Sequence, residues 1–403
     1  MTSRLVMAAA VGLGMACASS TPEPAALDAI AESYVRLALQ LAQHQPDLVE
    51  AYTGPPEWTP GPRMPVAALR PSGEALLARL DGLPVSQTAD QRLRRRYLRG
   101  QIRALALASN RLLGRSRPFR EEFTEAFGVA WPTVDETALG RARAELDRRL
   151  AGPGALADRY AAWRRARLVP SATQPAAAEA AIAACRARTT EALALPPDDG
   201  VTVEWGAPNG WEALARPDGP RRSRLVLASD APRTRAGLAR LACHETYPGH
   251  HVQHLLMTAT LVNDRRWLEF TLTPAFGPHA LVSEGAADAG ADLALATRLQ
   301  DDAARDDIFI EDLARALDAA IPDAIADYLD NAVGREATEA RLRDALVDAP
   351  DAFLRFAEQV RGRAVLYPIG RRVVLAWLHA GGDARDAWPR LAALFTTEPF
   401  AIE

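Results

Sequence analysis

A proline and a glycine inside a histidine-rich stretch constrain this chain more than any other feature. The stretch is HETYPGHHVQH, residues 244 to 254, and it holds four of the seven histidines, the others being His44, His279 and His379. A His-Glu pair with histidines close behind is the pattern of a zinc hydrolase, in which one helix offers two imidazoles and a carboxylate base. The usual spacing is H-E-x-x-H, but Pro248 stands at the fifth position and His250 arrives two residues late. In a straight helix His244 and His250 would lie about 9 Å apart along the axis and roughly 120° apart around it. They could not share an ion that needs its ligand atoms about 2 Å away. His244 and His251 would share a face but stand about 10 Å apart. Only His250 and His254 have the four-residue spacing of a helical pair.

Pro248 and Gly249 change that geometry. Proline inside a helix removes a hydrogen bond and pushes away the carbonyl four residues earlier, here that of His244. Glycine beside it accepts whatever dihedrals result. The stretch therefore reads as H-E-x-x-(PG)-H, with Pro-Gly bulged outward and His250 carried to the place of the second ligand.

Around this motif the chain reads as mainly α, of the α+β kind. Its 403 residues have ample length to bury a core. An apolar share of 48% with 24% charged residues is that of a globular protein. The net charge of −4 gives no broad basic surface, so no nucleic-acid partner is expected. All 47 basic residues are Arg, which reads as codon bias, and RLRRRYLR (92 to 99) as a solvated helix face with Tyr97 and the leucines inward. Apolar residues at helical spacing predict helices over Leu27 to Tyr52, Ala89 to Leu113, Asp135 to Leu150, Leu156 to Leu168 and Ala176 to Leu195. The Pro/Gly-rich passage after Tyr52 reads as irregular. Val201, Val203 and Trp205 alternate with polar residues and SRLVLAS (223 to 229) is a short apolar run, so two strands flank the loop GAPNGWEALARPDGPRR. From Arg233 onward the pattern is helical again. The order is a helical region over 18–195, then a region over 196–403 that opens with a small β element near 200–230 and carries the histidine cluster.

The first residues read as an export signal: Arg4, an apolar run from Leu5 to Ala16, then small residues. The run is too short to span a bilayer. Cys17 after Gly14-Met15-Ala16 is an imperfect lipoprotein pattern, and Ala16-Cys17-Ala18 is also an A-x-A cleavage site. A lipid-anchored Cys17 is the favoured exit, with any membrane attachment confined to that lipid, and Ser19 to Pro24 reads as a linker. Cys185 and Cys243 lie in helix-like apolar settings and read as unpaired core residues, although an exported chain leaves a disulfide between them open.

ACHETYPGHHVQH (242 to 254) resembles the signature of a bacterial family known as domain of unknown function 885, whose members carry H-E-x-x-P-G-H-H, are often exported and are grouped with zincin-type metallopeptidases. HQPDLVEAYTGPPEW (44 to 58), Arg222-Ser223-Arg224, SEG (283 to 285) and LYPIG (366 to 370) are similar to further passages of that family. Many members have Trp and Tyr after S-E-G, where this chain has Ala286 and Ala289. The resemblance implies Zn2+ held by His244, His250 and a third ligand from a downstream helix, for which Glu284 is the match and His254 the runner-up. It implies that Asp288, one turn after Glu284, orients a ligand histidine, and it leaves His251 as a supporting hydrogen-bond donor or an inert neighbour. Glu245 would then be the general base, and Tyr367, followed by Arg371 on the same helical face, the donor to the oxyanion. SRLVLAS, ahead of the motif helix, stands where such enzymes place an edge strand that pairs with an extended peptide. The expected function is an exported zinc hydrolase cleaving a peptide or other amide. A zinc-binding lipoprotein without catalysis and a deacylase of non-peptide amides are the alternatives.

Overall fold

The computed structural model describes residues 23–396 except 85, 87, 208–211, 296–301, 381 and 383–385, so the expectations for the leader and Cys17 lie outside the described residues. The architecture is mainly α with two small sheets, as the periodicity implies. The first half holds α1 (Glu23–Ala42), α2 (Val66–Asp81), α3 (Ala89–Leu112), α4 (Phe119–Phe127), α5 (Glu136–Arg149), α6 (Leu156–Arg165) and α7 (Gln174–Ala192). Beyond the sheet region follow α8 (Arg235–Glu245), α9 (His250–Met257), α10 (Gly277–Leu295), α11 (Asp302–Ala316), α12 (Ile321–Leu329), α13 (Arg335–Asp344), α14 (Pro350–Val360), α15 (Leu366–His379) and α16 (Ala387–Thr396). A π-helical segment, Thr258–Asp264, continues α9.

Several sequence expectations need correction. α1 buries Leu27, Ile30, Tyr34, Leu37 and Leu41 on one face but stops at Ala42 rather than Tyr52, and it already includes Pro24 of the supposed linker. Pro46 opens a short 3-10 turn, and β1 (Val49–Tyr52) then pairs antiparallel with β5 (Leu272–Pro274), a strand within the stretch that reads as all helix. The Pro/Gly-rich passage is not irregular throughout. α2 starts at Val66 and keeps Pro71 on its exposed side, because Leu69, Leu76 and Leu80 bury a helical stripe. α3 begins where expected, held by a capping box in which Thr88 and Gln91 satisfy each other's backbone N–H groups.

The second sheet has the order β2–β4–β3, from β2 (Gly200–Gly206), β3 (Ala213–Pro217) and β4 (Arg222–Ala228). β4 runs parallel to β2 and antiparallel to β3, with Ala215 opposite Leu225. The two expected strands are present, but the loop between them contains a third. SRLVLAS is therefore the central strand, and β2 and β3 are the edges.

The main core gathers side chains from α1, α2 and α3 together with α10, α15 and α16, from Leu27 to Phe395. α10 and α15 approach backbone to backbone. A Cβ on Gly285 would stand 2.2 Å from the Gly370 carbonyl oxygen, and one on Gly370 would stand 2.5 Å from that of Leu281. Only glycine at both places permits this crossing, and it sets Tyr367 of α15 beside Glu284 of α10. Cys185 of α7 and Cys243 of α8 form a disulfide, which corrects the unpaired reading.

Candidate metal centre

The His-Glu helix and the His-His helix are two separate elements. α8 is capped by Thr234, whose hydroxyl accepts the Gly237 N–H at 2.9 Å, and ends at Glu245. Thr246 to Gly249 form a tight loop with a cis Tyr247–Pro248 bond, and α9 restarts at His250. The expected outward bulge is thus a full break. Gly249 donates its N–H back to the Cys243 carbonyl at 3.2 Å, so the loop is folded hard against the end of α8. A Cβ on Gly249 would meet the His244 carbonyl oxygen at 1.6 Å, which makes glycine obligatory there.

The break brings together residues that a straight helix keeps apart. The His244 and His250 rings lie 4.8 Å apart, nearly perpendicular. Glu284 Oε2 lies 3.3 Å from His244 Nε2 and 3.5 Å from His250 Nε2. Ligand atoms on a tetrahedral ion with bonds of roughly 2.0–2.1 Å are separated by roughly 3.3–3.5 Å. His244, His250 and Glu284 form the one such group among the described residues that could hold a metal ion.

The tautomers decide whether this is an ion pair or a ligand set. His244 Nδ1–H donates to Asp288 Oδ1 at 3.0 Å, as expected for Asp288. His250 Nδ1 lies 3.4 Å from Ser283 Oγ, and Ser283 spends its own proton on Gln253 Oε1 at 2.6 Å. Ser283 Oγ therefore accepts at His250. With both Nδ1 atoms protonated, both Nε2 lone pairs face Glu284 Oε2, a buried oxygen with no hydrogen-bond partner. Three acceptors in contact repel unless something positive lies between them. The carboxylates around the two rings also favour positive charge at this point, carried by protons or by a metal ion. Burial works against it, yet Asp288 and Glu284 hold the His244 imidazole well above the usual histidine range, and Glu284 raises His250 in the same way. Glu284 itself stays low despite burial, because His250 and His244 outweigh it. The residues fit a metal ion.

Asp288 is anchored in turn. Arg315 Nη2 lies 3.2 Å from Asp288 Oδ2, and its Nη1 donates to Asp292 Oδ1 at 3.0 Å. Burial would raise Asp288, but Arg315, His244 and Arg371 bring it down to about 2.

Glu245 and Tyr367 carry the polar groups left over for chemistry. Neither side chain makes a hydrogen bond to another described residue. Both line two cavities that meet at the metal centre, one of about 660 Å³ and one of about 100 Å³. Burial, opposed by His244 and His250, raises the Glu245 carboxyl. Burial and Glu284 raise the Tyr367 hydroxyl, so it remains an O–H donor, with its ring 6.3 Å from that of His244.

Three of the candidate residues are engaged elsewhere. Arg371 does not stand free to meet an oxyanion: its Nε and Nη2 bind Asp292 Oδ2 at 2.9 and 2.8 Å. His254 is not a ligand, since its Nε2–H donates to the Gly219 carbonyl at 2.9 Å and Thr258 donates to its Nδ1 at 3.3 Å. His251 does not support the ligands, because its ring turns to Ser223 Oγ (2.8 Å) and to Asp199 (3.5 Å), a carboxylate that also binds Tyr247 and Arg186. It braces the Tyr-Pro-Gly loop instead.

Sequence reasoning also missed residues. Glu50 of β1 and Arg363, which are ion-paired, line the smaller cavity beside Glu284 and Tyr367. Arg363 precedes Tyr367 by four residues as Arg371 follows it by four, so spacing alone could have proposed either. β3 lies along the smaller cavity and is an edge strand of its sheet, the role expected of SRLVLAS.

No family model matches the chain, and no curated protein matches it. Among solved structures it is similar to "the putative lipoprotein from Colwellia psychrerythraea", with a TM-score of 0.55 and 15% sequence identity over 95% of this chain and 75% of that one. At that identity the likeness speaks to the fold alone.

Proposed function

We propose that this protein is an exported zinc-dependent hydrolase of amide bonds, acting as a peptidase. The observation that carries the reading is the convergence of His244 Nε2, His250 Nε2 and Glu284 Oε2 with their protons placed elsewhere. Two imidazoles and one carboxylate are the donor set of catalytic zinc sites that keep a position open. His244, His250 and Glu284 would hold zinc there, and the ion would supply Lewis acidity and a water made nucleophilic near neutral pH.

The chain's own groups supply the rest. Glu245 follows a ligand directly and has a carboxylate with no other partner, so it can take a proton from the attacking water and return it to the leaving nitrogen. A protein that only stores zinc has no use for an acid there. Tyr367 presents an O–H to the carbonyl oxygen as charge develops on it. The two cavities that share Glu245 give room for a substrate, and the edge strand β3 along one of them suits an extended peptide. These features agree with the resemblance to the domain of unknown function 885 family and its zincin relatives.

Export has two supports besides the leader. Disulfides such as Cys185–Cys243 persist in oxidising compartments, and the similar solved structure carries the lipoprotein description. Acylation at Cys17 predicts that Cys17→Ser moves the protein from the membrane fraction to the soluble periplasmic fraction; a parent protein that is already soluble refutes the anchor. For the activity, zinc-loaded protein is incubated with a peptide library and the products are sequenced. Cleavage at a defined bond supports the peptidase. Hydrolysis of only non-peptide amides moves the reading to a deacylase, and hydrolysis of nothing moves it to a zinc-binding protein.

A further inference from the structure

Gln253 has no role in the mechanism above, and its surroundings give it one. It follows His250 by three residues on α9 and is 6% exposed. It lines the smaller cavity together with Ser283 and the edge strand β3. Its Oε1 accepts from Ser283 Oγ at 2.6 Å, while its buried Nε2 has no hydrogen-bond partner among the described residues.

Turning the amide around would not cure this. His250 must carry its proton on Nδ1 if Nε2 is to face the ligand point, so Ser283 Oγ accepts there and has only its own proton to give. The end of Gln253 that takes that proton is the oxygen. Both N–H groups are then left over by the same logic that fixes the metal ligands. Buried amide donors without acceptors are rare in folded interiors. They are retained where a ligand supplies the acceptor, because a site built around such a donor rejects molecules that lack its partner.

The acceptor's chemistry follows from the cavity. An uncharged oxygen fits it, since the carboxylates lining the cavity, Glu50, Glu245 and Glu284, outnumber its guanidinium groups, Arg216 and Arg363. An extended chain alongside β3 turns alternate carbonyls toward that strand and the others away from it. We propose that Gln253 is a substrate-binding residue whose side-chain N–H groups donate to a backbone carbonyl oxygen of the peptide in the smaller cavity. This deepens the amide-hydrolase reading and rests on it.

The test uses a peptide hydroxamate and a set of analogues in which each backbone carbonyl in turn is replaced by CH2. Dissociation constants are measured by calorimetry on the zinc-loaded protein, on Gln253→Glu and on Gln253→Met, with zinc content checked in each. In the parent, one replacement weakens binding about tenfold or more, and in both variants the same replacement costs less than about threefold. Gln253→Glu keeps an oxygen for Ser283, so it holds zinc and the fold while lacking the donor. A purely structural Gln253 would not distinguish one carbonyl from another. The assignment is overturned if the variants keep the parent's preference, or if no carbonyl matters to the parent. If peptides bind and are cut but the preference persists, Gln253 alone falls. If the parent binds no peptide and cuts no amide, the hydrolase reading falls with it.

Discussion

On one side of the larger cavity the side chains of Glu245 and Tyr367 make no hydrogen bond to a described residue, and His244 Nε2 faces a bare carboxylate oxygen. Elsewhere in its lining Arg240, Arg315 and Arg371 all converge on Asp292, while Arg240 also binds Asp312 and Arg315 also binds Asp288. Both regions bury charge. They differ in how many partners each charge has. In the arginine network every guanidinium meets a carboxylate, which fixes α8, α10, α11 and α15 relative to one another. At the candidate metal centre Glu284 Oε2 and the side chains of Glu245 and Tyr367 lack such partners, and groups without partners are the ones free to bind and react. Asp288 belongs to both regions: one oxygen holds a ligand, the other holds the network.

The largest effects should come from breaking the centre itself. His244→Ala should lose zinc and activity together, because the ligand set is gone. Glu245→Gln should keep stoichiometric zinc while kcat falls by about 10²- to 10⁴-fold, the usual worth of acid–base catalysis. Metal analysis beside single-turnover rates separates the two, and unchanged hydrolysis in Glu245→Gln removes the proposed base. Next is Tyr367→Phe, expected to lower kcat about 10²-fold with KM little changed. Arg371→Gln measured in parallel should leave kcat within about threefold if its task is to hold Asp292, against the roughly 10²-fold loss of an oxyanion donor.

Where the two regions join, Asp288→Asn should weaken zinc binding about 10- to 100-fold, read by competition with a chelator. An unchanged affinity would show that Asp288 serves the network alone. The smallest effect concerns Asp318, on the wall of the larger cavity. Burial pushes its carboxyl up to about 7, with Arg315 and Arg371 opposing and Asp288 adding to the rise. Its folded pKa exceeds the unfolded value of about 3.9. Its stabilising contribution is therefore full below about pH 4 and lost as the pH rises through about 7. Asp318→Asn should gain about 1–2 kcal/mol on the parent above pH 7 and nothing at pH 4, read from urea unfolding at both pH values. A gain independent of pH would rule this out.

Much of the centre was legible because it is written locally. His244, Glu245 and His250 lie within seven residues, and Pro248-Gly249 announces a break at the only place where a break makes the spacing work. Glu284 and Asp288 came from the family resemblance, with the two acids one helical turn apart. What failed depended on distant partners. Arg371 and Arg363 are equally spaced from Tyr367, and only Asp292, 79 residues before Arg371, decides that Arg371 is engaged elsewhere. The Cys185–Cys243 link spans 58 residues and leaves no mark in either local pattern. β3 has five residues, including Arg216 and Pro217, so its pairing with β4 rather than its own composition makes it a strand.

The contact between Gly285 and Gly370 has a consequence for how this protein can diverge. Two backbones touching without side chains between them leave no slack to absorb a change. A single methyl at either position must separate the helices, and a shift of about 1 Å at a reacting group can cost about 10²-fold in rate. The working clearance between Glu284 and Tyr367 is thus set by atoms that are missing, so that corner tolerates neither growth nor repacking while the outer loops remain free to vary.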